Sequence, residues 1–261
     1  MENVRLPAVA GMFYPQDRIE LSQMLQGLLG KAAGPCSTPK AVIAPHAGYI
    51  YSGPIAATAY AQLASARKSI HRVVLLGPAH RVPFRGIAAS SATFFDTPLG
   101  PVPVDTRAVE TLLSLSQVHL LDEAHALEHS LEVHLPFLQT VLDRFSLVPL
   151  VVGDASYQEV ADVIERVWGG EETLIVVSSD LSHYHDYDTA RTMDRETSRA
   201  IEALEPESIS YDQACGRTPV GGLLLVARHH GLQARTLDLR NSGDTAGPRD
   251  QVVGYGAYAI A

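Results

Sequence analysis

Short apolar runs alternate with longer amphipathic stretches along the whole chain, a pattern that predicts strands and helices in turn. Residues 41–44, 72–76, 147–152 and 174–178 are rich in Val, Ile and Leu without polar alternation, as strands covered on both faces are. Residues 234–237 and 252–260 complete the predicted strands. Helices are predicted over residues 53–66, 106–114, 128–144, 157–168, 188–204 and 219–230. Leu127, Leu131, Leu135, Leu138 and Leu142 recur at helical spacings and give the third helix, with the turn before it, one apolar face. Pro136 is expected to kink that helix, because it lacks an N–H and crowds the carbonyl of Glu132. The Pro- and Gly-rich stretches 30–39 and 78–103 read as loops, the second with room for a hairpin. Strand–helix alternation predicts α/β layers around one sheet. No repeat or linker divides residues 1–261, so one domain is expected.

Composition narrows the class. With 46% hydrophobic residues in 261, a compact fold has material for a large core. Twenty basic against 29 acidic side chains give a formal charge of −9, and no Lys/Arg run stands out, which argues against a nucleic-acid groove. Cys36 and Cys215 make no disulfide framework and no C-x-x-C, a usage that suits a reducing cytosol. The N-terminal residues lack the basic and apolar regions of a signal peptide. No apolar run approaches the ~20 residues that span a bilayer, so a cytoplasmic protein without membrane or nucleic-acid partners is expected.

Histidine carries the candidate chemistry. His46 follows the first predicted strand after Pro45, and His80 follows the second through Gly77-Pro78-Ala79. Asp180 and His183 follow the strand ending at Ser178, with His185 just beyond. Ligands of open α/β sheets bind at the carboxyl ends of strands, where these residues would converge. Imidazoles converging with a carboxylate suit a divalent Fe, Zn or Cu ion. The plainer alternative is that each histidine caps a loop or bonds backbone. His125 and His129 are four apart and would share a face if the helix began early, while His134 fits a satisfied core position. H-E-x-x-H, G-x-S-x-G and G-x-G-x-x-G are all absent, which weakens zincin, hydrolase and dinucleotide readings. Asp122-Glu123-Ala124-His125 spells a helicase-like tetrapeptide, but no phosphate loop precedes it. Glu165, Glu171 and Glu172 read as a solvated face. The segment from Ala47 to Gly53 either lets backbone approach a ligand or makes a tight strand-to-helix turn. Asp244, in the polar loop from Asn241 to Gly247, either brings a carboxylate to the same edge or closes an Asx turn.

Several motifs together carry a family resemblance. They are Ala10-Gly11-Met12-Phe13-Tyr14-Pro15, Ala44-Pro45-His46-Ala47-Gly48-Tyr49, Leu76-Gly77-Pro78-Ala79-His80, the stretch from Glu128 to Pro136, Ser179-Asp180-Leu181-Ser182-His183, Cys215-Gly216-Arg217-Thr218-Pro219 and Val253-Gly254-Tyr255. In this order and over nearly the whole chain, the sequence resembles the Memo family, whose bacterial and archaeal members are often labelled protein B of the AmmeMemoRadiSam system. The resemblance implies an α/β/α sandwich similar to class III extradiol dioxygenases, which hold non-haem Fe(II) with two histidines and a carboxylate. It matches His46 and His80 to the metal-binding histidines and His183 to an acid/base histidine, with Asp180 beside it and His129 lining the pocket. The dioxygenases have a glutamate as third ligand, and eukaryotic members are associated with a cysteine in the loop before the last strand. This chain has neither there, Cys215 belongs to an earlier motif, and Asp244 is the nearest carboxylate for the role. The implied function is an iron-dependent redox enzyme, with Cu or Zn as other metals and a small molecule or peptide in the cleft. Functional association with AMME-like and radical-SAM proteins is also implied. The alternatives are a non-catalytic binding or signalling protein with a vestigial pocket, and a metal-handling protein. A carboxylate as third ligand favours working iron chemistry.

Overall fold

The computed structural model describes residues 3–32, 34 and 38–261. Cys36 and part of the predicted 30–39 loop lie outside the described residues. In chain order the elements are β1 (Val4–Arg5), α1 (Arg18–Leu29), β2 (Ala41–Ala44), α2 (Tyr49–Ala61), β3 (Arg72–Pro78), β4 (Ile87–Ala89), β5 (Phe94–Phe95) and β6 (Val102–Pro103). There follow α3 (Thr106–Leu112), β7 (Val118–Leu120), α4 (Asp122–Ala126), α5 (Leu135–Val141), β8 (Ser146–Val152), α6 (Tyr157–Arg166) and β9 (Thr173–Ser178). The chain closes with β10 (His183–His185), α7 (Tyr187–Glu202), α8 (Arg217–His229), β11 (Ala234–Asn241) and β12 (Val252–Ile260).

Among the described residues the main sheet has nine strands, ordered β10-β12-β2-β9-β3-β8-β4-β7, with β11 paired to β12. Its centre is parallel: Ala44 lies opposite Ser178, Val74 opposite Ile175 and Leu76 opposite Leu150. β12 joins antiparallel to β2, with Tyr258 opposite Ile43. Every residue of β2 and β9 is buried, which explains why these strands read as unbroken apolar runs. Helices α1, α2 and α5 pack together beside β2 and β12, while α6 and α8 pack on each other beside β3 and β9. The sheet is thus covered on both faces in an α/β sandwich, with one apolar core running from Val9 to Ile260. β5 and β6 form the hairpin within 78–103, and β1 adds to it in parallel.

Two expectations fail in instructive places. Residues 128–144 are not one kinked helix. α4 ends at Ala126, a single 3₁₀ turn covers Glu132–His134, and α5 starts at Leu135. Pro136 sits in the first turn of α5, where a missing N–H breaks no helical bond, so it starts a helix and kinks none. The side chain of Glu128 accepts from the N–H groups of His129 and Ser130, both at 2.9 Å, and holds that stretch out of helical form. Leu127, assigned to the apolar face, is 66% exposed as a result. The helix α1 was missed, although Asp17 caps it by accepting from Ile19 and Glu20 N–H groups, and Leu21 and Leu25 bury its inner face.

Candidate metal and proton-transfer site

β2, β9 and β3 are consecutive in the sheet and parallel, so their carboxyl ends open on one crevice. His46 leaves β2, Asp180 leaves β9 and His80 leaves β3 at this edge. The imidazoles of His46 and His80 meet edge to face with centroids 5.1 Å apart. His129 stacks on His80 at 4.7 Å and stands edge-on to His46 at 5.4 Å. The structure therefore brings together four of the residues singled out in the sequence: His46, His80, His129 and Asp180.

Each of the first two histidines is held by its Nδ1. Glu128 Oε1 lies 2.9 Å from His80 Nδ1, and Glu128 Oε2 accepts from the His80 N–H at 2.6 Å. Ser178 Oγ lies 2.6 Å from His46 Nδ1. With both Nδ1 atoms engaged, the Nε2 atoms remain for a ligand in the crevice, the arrangement by which carboxylate and hydroxyl partners orient metal-binding imidazoles. Burial would raise the Glu128 carboxyl, but its bonds to His80 and Ser130 outweigh that and hold it down at about 2. Burial, then the neighbouring imidazoles of His80 and His129, keep His46 neutral well below its ordinary range. Burial lowers His129 to about 4, and its Nδ1 has no hydrogen-bond partner.

The third side chain of the group is Cys215. Its Sγ lies 3.5 Å from His46 Nε2, and donor atoms of His46, His80 and Cys215 all lie within 4.8 Å of one another. The sequence assigned this role to Asp244, and the structure does not bring Asp244 there. Asp244 Oδ1 instead accepts from the Tyr187 hydroxyl at 2.5 Å, and Oδ2 from the Asn241 N–H at 3.1 Å, closing the turn Ser242–Asp244. Cys215, whose motif falls earlier in the chain, is brought beside His46 by the fold. Gly216 is the reason: a Cβ there would collide with the Ser178 carbonyl and lie 2.6 Å from Ser179 Cβ. Only glycine lets the segment before α8 press against the end of β9, and the Gly216 N–H donates to Ser179 Oγ at 3.0 Å. Burial first, and the Asp180 charge second, push the Cys215 thiol up, a bias that a metal cation reverses.

Asp180 lies beneath the group. Its Oδ1 accepts from the His46 N–H at 2.8 Å, and its Oδ2 is 3.9 Å from His46 Nε2. Burial pushes its carboxyl up to about 7, against the hydrogen bond from His46. His183 stands at the sheet edge on β10, opposite Val253. The register slips between His183 and His185, and Tyr184 takes φ +60° between them. Such a conformation costs a non-glycine residue roughly 1–3 kcal/mol, and bulges of this kind re-aim side chains beside sites. Burial lowers the His183 pKa, with a smaller contribution from His80. A cleft of about 440 Å³ opens beside His80 and Cys215, bordered by Arg81, Phe84, Tyr211 and Arg217. Glu128 and Ser178, as partners of the histidines, have no signal in the sequence reading, whereas Cys215 is named there but placed outside the site. A polar residue bonding a ligand's outer nitrogen leaves no spacing signal when it comes from another loop.

Fold and site define an α/β sandwich with a histidine–thiol cluster at the carboxyl edge of its parallel strands. The chain belongs to the Memo family: the profile of Memo-like proteins matches residues 5–259. A MEMO1 family protein of Aquifex aeolicus is 38% identical over 263 residues, covering 97% of both chains. One from Metallosphaera sedula is 34% identical over 274 residues, covering 96% of this chain and 97% of its own. In fold the chain is similar to an uncharacterized protein of Escherichia coli K12, with a TM-score of 0.54 at 14% identity over 84% of this chain and 98% of that one. Among the described residues no helix is long and apolar enough to cross a membrane.

Proposed function

We propose that this protein is a metal-dependent redox enzyme of dioxygenase-like type, with His46, His80 and Cys215 as protein ligands. The observation that carries the reading is the pair of imidazoles fixed at Nδ1 by Ser178 and Glu128, with a thiol 3.5 Å from His46 Nε2. The donor set fits: imidazole and thiolate together suit iron, copper or zinc, and three protein ligands leave a position open. A bound ferrous or cuprous ion would supply electron transfer and Lewis acidity at the floor of the cleft. The chain's own groups handle substrate and protons. Asp180, at about 7, holds or releases a proton at Oδ2 near neutrality. His129 keeps an unbonded Nδ1 next to the cluster, and His183 offers a second imidazole from the sheet edge. Phe84 and Tyr211 give the cleft apolar surface for a small organic substrate.

A second reading, a non-catalytic binding protein retaining the pocket, is favoured by one observation: the third donor is a thiol where the dioxygenases have a carboxylate. Anaerobic loading with Fe(II) or Cu(I), followed by metal analysis and O₂-uptake with catechols, separates the two. The wild type is expected to hold one ion more than the variant His46→Ala/His80→Ala, and Cys215→Ser to bind metal more weakly. Equal metal content in wild type and double variant would sink the metal site. Metal held with no uptake across the screen would leave the binding reading in its place.

A further inference from the structure

At the other end of the sheet, α6 and α8 finish side by side. They run in the same direction, because Gly221 faces Tyr157 and Gly222 faces Val160 while His229 and His230 meet Glu165. A Cβ at Gly221 would come within 2.5 Å of the Tyr157 ring, and one at Gly222 would overlap Val160, so this glycine pair sets the close approach. The carboxylate of Glu165 then lies between two imidazoles from consecutive residues. Its Oε1 is 2.9 Å from His229 Nδ1 and its Oε2 is 3.0 Å from His230 Nε2. Glu165 is therefore not part of a plain solvated face, unlike Glu171, which is exposed.

We propose that Glu165, His229 and His230 form a second metal site, for a dication of the zinc, copper(II) or nickel class. Three features converge on that chemistry. The donor atoms lie within 4.8 Å of one another, and two imidazoles with one carboxylate are borderline ligands suited to these ions. One ring is preorganised: His230 stacks on Trp168 at 4.6 Å and 13°, and Lys40 Nζ lies 4.9 Å from the Trp168 ring. Finally, both helices end here, and their carboxyl-terminal dipoles favour a cation. The ion would replace the two protons now shared between the imidazoles and the carboxylate.

The site is remote from the His46 group. Thr173, bonded through its carbonyl to Lys40, and Ser178, bonded to His46, mark the two ends of β9, about 17 Å apart at ~3.3 Å per residue. Trp168 is the chain's single tryptophan, so its emission reports this end of the molecule alone. The test is titration of the full-length protein with Cu(II), read by Trp168 quenching and by nitrogen hyperfine structure in electron paramagnetic resonance. Trp168 quenching is expected in both wild type and His46→Ala/Cys215→Ser, and a signal from two imidazoles in the variant, where the His46 group is disabled. Glu165→Gln and His229→Ala, checked for native circular dichroism, are expected to bind at least roughly 10–100-fold more weakly. Undiminished quenching in both variants would overturn the proposal. Absence of quenching in the wild type would overturn it equally.

Discussion

Glu128 and Glu132 lie four residues apart, both buried, and serve opposite ends. Every contact of Glu132 ties the fold together: its carboxylate pairs with Arg5 and accepts from the Ala8 N–H at 2.7 Å, the Val9 N–H at 3.0 Å and the Tyr14 hydroxyl at 2.6 Å. Glu128 also accepts from backbone, but it spends both oxygens on His80, whose other nitrogen is left for the cleft. Arg5 links the two, since its guanidinium also donates to the Glu128 carbonyl at 2.6 Å. A buried carboxylate thus marks function only when its partner still has an unused donor or acceptor. Burial and charge alone do not distinguish the two.

Glu132→Gln tests the structural side and should have the largest effect on folding. It leaves Arg5 as an uncompensated buried charge, which costs about 3–5 kcal/mol. Urea unfolding at pH 7 should show the loss, and a change under 1 kcal/mol, roughly the net worth of one hydrogen bond, would show that Arg5 finds another partner.

Acid should damage the same region next. Burial lowers His134 to about 3 and His125 to about 4, from an ordinary 6.5. The unfolded chain binds these protons first, so the stability they protect is present above 6.5 and is lost as pH falls below it. Each such imidazole costs about 1.4 kcal/mol per pH unit until its folded pKa is reached. Asp194, which burial raises to about 6, opposes this: its buried charge penalises the native state at high pH and is relieved on acidification. His46, His129 and His183 are lowered too and Asp180 is raised, so five imidazoles outweigh two carboxyls and urea midpoints should fall between pH 7 and pH 5. A rising midpoint would refute the assignment of neutral, buried imidazoles.

Glu128→Gln, on the functional side, should cost less in folding, about 1–3 kcal/mol for weakened buried hydrogen bonds. Its signature is metal affinity reduced roughly 10–100-fold, because His80 loses the charge that orients it. If Glu128→Gln and Glu132→Gln changed affinity equally, the division of labour would fail.

The sheet was legible because β2, β3, β8 and β9 are buried on both faces and must be apolar throughout. His46 and His80 were legible for a related reason: they follow such strands directly. What stayed hidden depends on contacts between distant segments. The helix expected over 128–144 fails because Glu128 bonds to His80, 48 residues earlier, and no local periodicity records that bond. Cys215 was visible as a motif but not as a neighbour of His46, from which it lies 169 residues away. Short elements such as β4, β7 and β10, each three residues long, carry too few positions to show a period.

Asp244 extends the comparison to a third carboxylate and should show the smallest effect of all. Its oxygens bond to Tyr187 and to the Asn241 N–H, so its contacts, like those of Glu132, are internal. Unlike Glu132 it has no buried cation to strand, because it closes a surface turn. Asp244→Asn keeps an acceptor for Tyr187 but not for the Asn241 N–H, so stability should fall by only about one hydrogen bond, roughly 0.5–1.5 kcal/mol. Metal affinity should not change, whereas Cys215→Ser should weaken it. The two variants form a matched pair, one at the residue sequence order favoured and one at the residue space favours. A drop in Fe(II) affinity for Asp244→Asn, with Cys215→Ser unaffected, would restore a carboxylate to the site. It would require the Asn241–Gly247 loop to swing away from Tyr187 when metal binds.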